Sequence, residues 1–470
     1  MSVILFNPRG RPHTSAKGDV HSLACVMPPI GLASIAAVLR QEQCRISIYD
    51  AALDFGVSNA EWAHRIVQQS PEIVGFTATT SGFYDAYDVC EKIKERNADI
   101  RTVFGGVHVS WGGGEILKNY PAIDYIITGE GERAMLQLVS DDPVDTIEGL
   151  AYRQNGSIKL GPGRRKLYNL DDLPFPAYDL LPGFPRRYLM PLFGYPQQPG
   201  ANIASSRGCV YQCSFCDRSV FQKSFRHNSP EYTVEQMTWL NRDFGVKHIN
   251  FYDDLFTLNR TRVARLCELL RTQKSRMSFN CIARIGHIDD ELIRLLKLGG
   301  CWMVNVGIES GDQDILDAHK DRLSLEMIRR DITRLHNAGI WVKGLFMMGF
   351  PGETEKSIAR TREFALSLPL KDANITAFTP FPGAPITHGI EKLGAFDNDW
   401  SKMDCEQFVF VPHSIGSKEK LEQHYRLFIK GFYQRPAMRR IYRTMLLQSP
   451  HSYWRLLKGA GTFLRYASGL

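Results

Sequence analysis

No apolar run in this chain of 470 residues is long enough to cross a bilayer. The amino terminus, Met1-Ser-Val-Ile-Leu-Phe-Asn-Pro-Arg9, also lacks the apolar length of a signal peptide and reads as a first strand. A cytoplasmic location is therefore expected. Cysteine is sparse, with ten residues, and in a reducing compartment these do not make a disulfide framework. Cys25, Cys44, Cys90, Cys267, Cys281, Cys301 and Cys405 are scattered and read mostly as small core residues. Acidic residues run out near the carboxyl end. Residues 424–470 carry nine Lys/Arg and no Asp/Glu, against 48 basic and 50 acidic residues elsewhere, so the tail alone makes the net charge +7. The rest is ordinary: 44% apolar and 23% charged suits a globular protein of two or three domains.

What is present is a triplet, Cys209, Cys213 and Cys216, in Arg207-Gly-Cys-Val-Tyr-Gln-Cys-Ser-Phe-Cys-Asp217. Three thiolates so close together can hold three irons of a cubane cluster and leave the fourth iron without a protein ligand. An open iron can bind and break a substrate. The alternative is a structural zinc site completed by His227.

Two regions alternate strand and helix. In the first, strands are expected at 3–7, 45–49, 72–80, 101–106 and 124–128, with helices near 28–42, 61–69 and 84–96. That pattern implies an open parallel, flavodoxin-like α/β sheet over residues 1–140, with ligands at the carboxyl ends of its strands. Residues 141–200 hold Pro174, Pro176, Pro182, Pro185, Pro191, Pro196 and Pro199 and read as a short β-rich extension and a linker over the surface. In the second region, 201–390, strands are expected at 201–206, 248–253, 278–284, 302–309, 341–348 and 374–380. Six units are too few for a closed barrel and suit a partial (β/α)6 barrel, open on one side. Residues 391–470 form a basic, mainly helical segment.

These residues resemble the radical SAM superfamily, and specifically its cobalamin-binding branch. The triplet, with Phe215 before its last cysteine, matches the superfamily's cluster motif. Tyr252-Asp253-Asp254 lies where the family binds the amine of S-adenosylmethionine (SAM). Arg284, Gly307-Ile-Glu309-Ser-Gly, Gly344-Leu-Phe-Met-Met-Gly349-Phe-Pro-Gly-Glu353 and Phe381-Pro-Gly-Ala-Pro385 follow in the family's order. The resemblance implies a 4Fe–4S cluster on Cys209, Cys213 and Cys216. It assigns SAM to Phe215, Tyr252, Asp253 for the amine, Arg284 for the carboxylate and Glu309 for the ribose. It also implies cobalamin at Thr77-Ala-Thr79-Thr80, at Gly105-Gly106 and at Gly129-Glu130. Histidine-ligated cobalamin domains carry Asp-x-His-x-x-Gly; Asp19-Val-His21-Ser-Leu-Ala24 begins that pattern but lacks the glycine. His21 reads as an ordinary loop residue, and His108 lies near the same edge without an assigned role.

The function implied is reductive cleavage of SAM to a 5′-deoxyadenosyl radical and methylation of an unactivated carbon through methylcobalamin. A non-methylating enzyme such as an oxidative cyclase is the main rival. An RNA methylthiotransferase would need a second cluster, for which Cys25, Cys44 and Cys90 do not group. An iron–sulfur or cobalamin sensor is the non-enzymatic rival. A flavodoxin or ferredoxin would donate the electron. The aromatic, basic tail reads either as a solvated face over the barrel mouth or as a contact with an anionic membrane surface, which would suit a lipid-like or pigment-like substrate. Contact with RNA phosphates is a third, weaker reading of that tail.

Overall fold

The computed structural model describes residues 1–10, 26–163, 168–273, 275–320 and 322–468; His21 and Cys25 lie outside the described residues. The first region is built from β1 (Ser2–Asn7), α1 (Ile30–Gln41), β2 (Arg45–Asp50), α2 (Asn59–Gln68), β3 (Ile73–Thr77), α3 (Phe83–Arg96), β4 (Arg101–Gly105), α4 (Val107–Asn119), β5 (Tyr125–Ile127) and α5 (Glu132–Val139). β1 and β3 are runs of apolar residues buried on both faces, as strands covered by helices on either side must be. The helix α4 forms despite three consecutive glycines and kinks at Gly112. The parallel order is β2-β1-β3-β4-β5. It reverses direction between β1 and β3, which creates a crevice at their carboxyl ends.

The sheet does not stop near residue 140. An antiparallel hairpin, β6 (Leu150–Gln154) and β7 (Ser157–Leu160), pairs with β5 and completes seven strands. The proline-rich stretch after it is not a surface linker, which corrects the expectation above. Tyr178, Tyr188, Met190, Phe193 and Tyr195 are all buried. Tyr178 Oη donates to Asn202 O (2.5 Å) and Tyr188 Oη to Asp50 Oδ2 (3.0 Å), tying the two sheets together. The aromatic residues between the prolines carry enough apolar area to draw the segment inward.

The second region runs β8 (Gly200–Ile203), β9 (Ser206–Arg207), β10 (Arg226–His227), α6 (Pro230–Phe244), β11 (His248–Phe251), α7 (Arg260–Thr272), β12 (Ser278–Ala283), α8 (Asp290–Leu298), β13 (Cys301–Glu309), α9 (Gln313–His319), α10 (Leu325–Asn337), β14 (Trp341–Met348), α11 (Glu355–Ser367) and β15 (Asp372–Ala377). Its helix starts are explicit. Ser229 caps α6 ahead of Pro230, and Thr354 and Ser357 form a capping box on α11. Six parallel strands follow chain order, β8-β11-β12-β13-β14-β15, and β8 does not pair with β15. The sheet is therefore an open half-barrel, as expected.

A short hairpin, β16 (Gly394–Phe396) with β17 (Phe410–Pro412), leads into α12 (Lys418–Gln434), α13 (Pro436–Gln448), α14 (Pro450–Lys458) and α15 (Ala460–Ser468). The tail begins at the barrel mouth and leads away from it. The helix α12 starts there, with Lys420 paired to Glu355, and descends along β14 and β15. Its far end places Tyr433 Oη on Asp372 Oδ1 (2.8 Å) at the start of β15. There Phe193 meets Tyr433, Tyr442 and Phe463, and Ser449 Oγ donates to Tyr195 O (2.8 Å). These helices thus close the amino-terminal end of the half-barrel, where Phe432, Tyr433, Tyr442 and Phe463 find aromatic partners.

Candidate active site

Residues 208–225 hang from a two-stranded neck in which Arg207 pairs with Arg226. This loop carries the three cysteines. Ser214 N–H donates to His319 O (3.0 Å) and Ile386 N–H to Ser214 O (3.0 Å), pinning the loop to the half-barrel. Phe215 packs edge-on against Phe350, 5.5 Å between centroids. The Phe381–Pro385 turn braces the other side: a Cβ on Gly383 would collide with Ser219 and Asp217.

Burial pushes the Cys216 thiol up to about 12, with Cys213 and Asp254 adding to the effect, and burial raises Cys209 as well. Thiols that resist ionisation alone, and repel one another once ionised, need several positive charges beside them to become ligands. That donor set fits three irons of a cubane. Among the described residues, no three His, Cys, Asp or Glu side chains converge on a single ion. His227 is engaged elsewhere, with Nδ1 on Asn228 O (3.0 Å) and Nε2 on Asn259 (3.1 Å).

Beside the loop, a cavity of about 430 Å³ opens between the two sheets. That lies within the range of small-molecule and cofactor sites, and its wall is shared by both sheets. Thr77, Gly105, Gly106, Gly129 and Glu130 line it from the first sheet; Arg207, Val220, Phe221, Tyr252 and Asp254 line it from the half-barrel. Gly106 has φ +102°, and a Cβ there would lie 2.8 Å from Ala78 O, so only glycine turns the chain at this edge. Thr79 is not in the wall; it is exposed and accepts Gly82 N–H (3.2 Å). His108 is also outside it, wedged between Phe83 and Trp400 at 4.5 and 4.4 Å between centroids. Burial lowers its pKa to about 4, so it stays neutral.

The two aspartates after β11 part ways. Asp253 is buried and accepts from Ser205 N–H (2.6 Å), Ser205 Oγ (2.7 Å) and Ser206 Oγ (2.7 Å), with Arg262 3.9 Å away. It braces the neck and does not reach the cavity. Asp254 does reach it, and its Oδ2 accepts Gly208 N–H (2.9 Å) next to Cys209. Of the two aspartates, Asp254 faces the cavity and Asp253 the interior. Arg284 follows β12, its guanidinium carbon 3.4 Å from the ring centroid of Tyr211, itself in the cysteine loop. Glu309 ends β13 at a register shift with φ +64°, a strained conformation for a residue with a side chain. Lys320 holds it, with Nζ 2.7 Å from Glu309 Oε1 and 2.6 Å from Gly307 O.

The Radical SAM superfamily model matches residues 203–365, and the B12 binding domain model matches residues 16–139. The chain belongs to the radical SAM superfamily, in its cobalamin-binding branch. Over 417 residues it is 33% identical to an uncharacterized methyltransferase, PH0819, of Pyrococcus horikoshii, covering 87% of this chain and 89% of the relative. It is 28% identical to the anaerobic magnesium-protoporphyrin IX monomethyl ester cyclase of Rubrivivax gelatinosus, covering 87% of this chain and 75% of the cyclase. Its fold is similar to that of the cobalamin-dependent SAM radical enzyme OxsB, with a TM-score of 0.72 at 16% identity over 97% of this chain and 72% of that one. This radical SAM protein is an enzyme whose cofactors are a 4Fe–4S cluster, SAM and cobalamin.

Sequence reasoning quoted Arg207 and Asp254 without giving them roles, and it missed Lys320 and His319. Alternation was a usable signal for Asp254. Tyr252 and Asp254 are exposed on one side while Phe251 and Asp253 are buried on the other. Nothing local marks Lys320, which meets Glu309 only through the fold.

Glu353, in the motif after β14, is fully buried, and burial raises its pKa to about 8 despite hydrogen bonds from Gly349 N–H (2.6 Å) and Phe350 N–H (3.2 Å). The folded state thus holds a proton that the unfolded chain releases near 4.5, so this group's stabilising effect fades as pH rises from about 4.5 to 8. Glu353→Gln should gain stability relative to wild type across that window, measured as thermal midpoints at pH 5 and pH 8. An unchanged difference between the two pH values would contradict a raised pKa.

Proposed function

We propose that the enzyme methylates an unactivated carbon of a small-molecule substrate, drawing the methyl group from SAM. The observation that carries this reading is the single cavity shared by the glycine edge of the first sheet and by the cysteine loop with Tyr252 and Asp254. When bound, the cluster supplies the electron that cleaves SAM, and cobalamin supplies a methyl carrier. The protein's part is positioning. In this reading Asp254 would receive the SAM amine and Arg284 its carboxylate. Glu309, fixed by Lys320, would take the ribose hydroxyls. The cavity edge at Thr77, Gly105, Gly106 and Gly129 is left for the corrin and its nucleotide tail, and apolar Val220 and Phe221 face the space between the cofactors. The Pyrococcus relative's designation as a methyltransferase supports the reading, and the Rubrivivax cyclase keeps ring formation as the rival. Oxygen-free protein reconstituted with iron, sulfide and hydroxocobalamin, then given SAM, a reduced flavodoxin or ferredoxin and a cell extract, decides between them. A product heavier by one methyl group is expected; a new ring without that gain would favour the cyclase reading.

We further propose that the tail rests on an anionic membrane surface. No described helix is long and apolar enough to span one. On α13, Arg439, Arg440, Arg443, Leu446 and Leu447 are exposed at helical spacing, and Trp454, Leu457, Lys458, Leu464 and Arg465 are exposed on α14 and α15. Basic charge beside apolar and aromatic side chains favours a lipid interface. At roughly 1 kcal/mol per basic residue, replacing Arg439, Arg440 and Arg443 by glutamine should weaken binding to phosphatidylglycerol-containing vesicles about a hundredfold. Sedimentation with neutral phosphatidylcholine vesicles is the control, and equal binding to both would sink the idea.

A further inference from the structure

The neck of the cysteine loop is bolted to the other sheet by charge. Arg207 and Arg226 stand opposite each other on β9 and β10. Both guanidinium groups leave the half-barrel and close on the stretch Gly129–Glu132, which follows β5. Arg207 Nη1 lies 2.6 Å from Glu130 Oε1, and its Nη2 lies 2.6 Å from Glu132 Oε1. Arg226 takes the other oxygen of Glu130, and its Nη1 donates to Tyr168 O (3.0 Å). Ser34 Oγ (2.8 Å) and Tyr168 Oη (3.2 Å) complete the shell of Glu132. The four charged side chains are 3–15% exposed. Burial alone would raise the Glu132 carboxyl, yet Arg207 and the hydrogen bond from Ser34 hold it at about 2.

Such a network is a poor way to add stability, because two desolvated charges seldom outdo well-packed apolar residues. What it does well is fix geometry, since each guanidinium fork reaches two carbonyl or carboxylate groups at set angles. Its location says which geometry. On one side, Gly129–Glu132 lines the cavity; on the other, Gly208 and Cys209 follow Arg207 directly. Glu130, expected from the sequence to touch the cofactor, spends both oxygens on arginines.

We propose that Arg207 and Arg226 are positioning residues that set the spacing between the cluster and the corrin. The proposal rests on the functional reading above, which puts both cofactors at this junction. Its test uses full-length protein reconstituted with iron, sulfide and cobalamin, then reduced so that cluster and cob(II)alamin are both paramagnetic. Electron paramagnetic resonance reads the magnetic interaction between them. Wild type is expected to show one well-defined interaction. Arg226→Met should keep full iron and cobalamin yet lose that single interaction to a broad distribution, and Arg226→Lys, which keeps one charge on Glu130, should recover most of it. Arg207→Met should behave likewise; should it fail to fold, Arg207→Lys and the Arg226 pair still decide. Wild-type interaction retained in Arg226→Met with full cofactors overturns the proposal. A wild-type protein that binds no cobalamin, or shows no interaction at all, overturns the functional reading first and this proposal with it.

Discussion

Replacing Cys216 by serine is expected to strip the cluster and reduce SAM cleavage to background. A cubane held by three thiolates has no spare protein ligand, and a serine oxygen is a harder, poorer donor to iron than sulfur. Iron and sulfide should fall from about four each per chain to near zero, and 5′-deoxyadenosine should no longer form under reducing conditions. The paired control is His227→Ala. His227 lies on the neck strand with both ring nitrogens engaged by Asn228 and Asn259, so its loss should leave the iron content unchanged. If His227→Ala also lost its metal, the site would have four protein ligands. The open iron on which SAM cleavage depends would not exist.

The chemistry that was legible in the sequence was local. The cysteine spacing is written in eight consecutive residues and survives any uncertainty about the fold. Strands such as β13 and β14 were equally plain, because each is an apolar run ending at a motif on the mouth of the half-barrel. What could not be read were meetings between distant segments. Arg207 and Glu132 are 75 residues apart, and their contact follows from the way two sheets dock. The tail shows the same limit. Its aromatic residues fit a lipid surface or a protein core equally well in composition. The fold divides them: Phe428, Phe432 and Phe463 are buried against the half-barrel, while Trp454 faces out. Prolines misled in the 168–199 segment because they mark where a chain turns, and the intervening tyrosines decide whether it turns inward.

The sharpest separation concerns adjacent carboxylates. Asp253→Ala should cost stability, and Asp254→Asn should cost catalysis. Removing Asp253 leaves Arg262, which is 1% exposed, without its buried counter-charge, and the Ser205 N–H and the Ser205 and Ser206 hydroxyls without their acceptor. Breaking a buried pair in this way typically costs about 3–5 kcal/mol, or roughly 10 °C in the melting midpoint of a domain this size. Burial already pushes the Asp253 carboxyl up and the Arg262 guanidinium down, so neither is comfortable without the other. Asp254→Asn retains an oxygen for Gly208 N–H and should leave the midpoint within a degree or two. It removes the negative charge beside the loop where the SAM amine is proposed to lie. A misplacement of about 1 Å at a reacting centre is worth on the order of a hundredfold in rate, so 5′-deoxyadenosine formation should fall by about that factor with iron content intact. Calorimetry on both variants, alongside cleavage rates, tests the division. A stable Asp253→Ala protein that cannot cleave SAM, or an Asp254→Asn protein that cleaves it normally, would return the amine to Asp253 and make the buried geometry a resting state that opens when SAM binds.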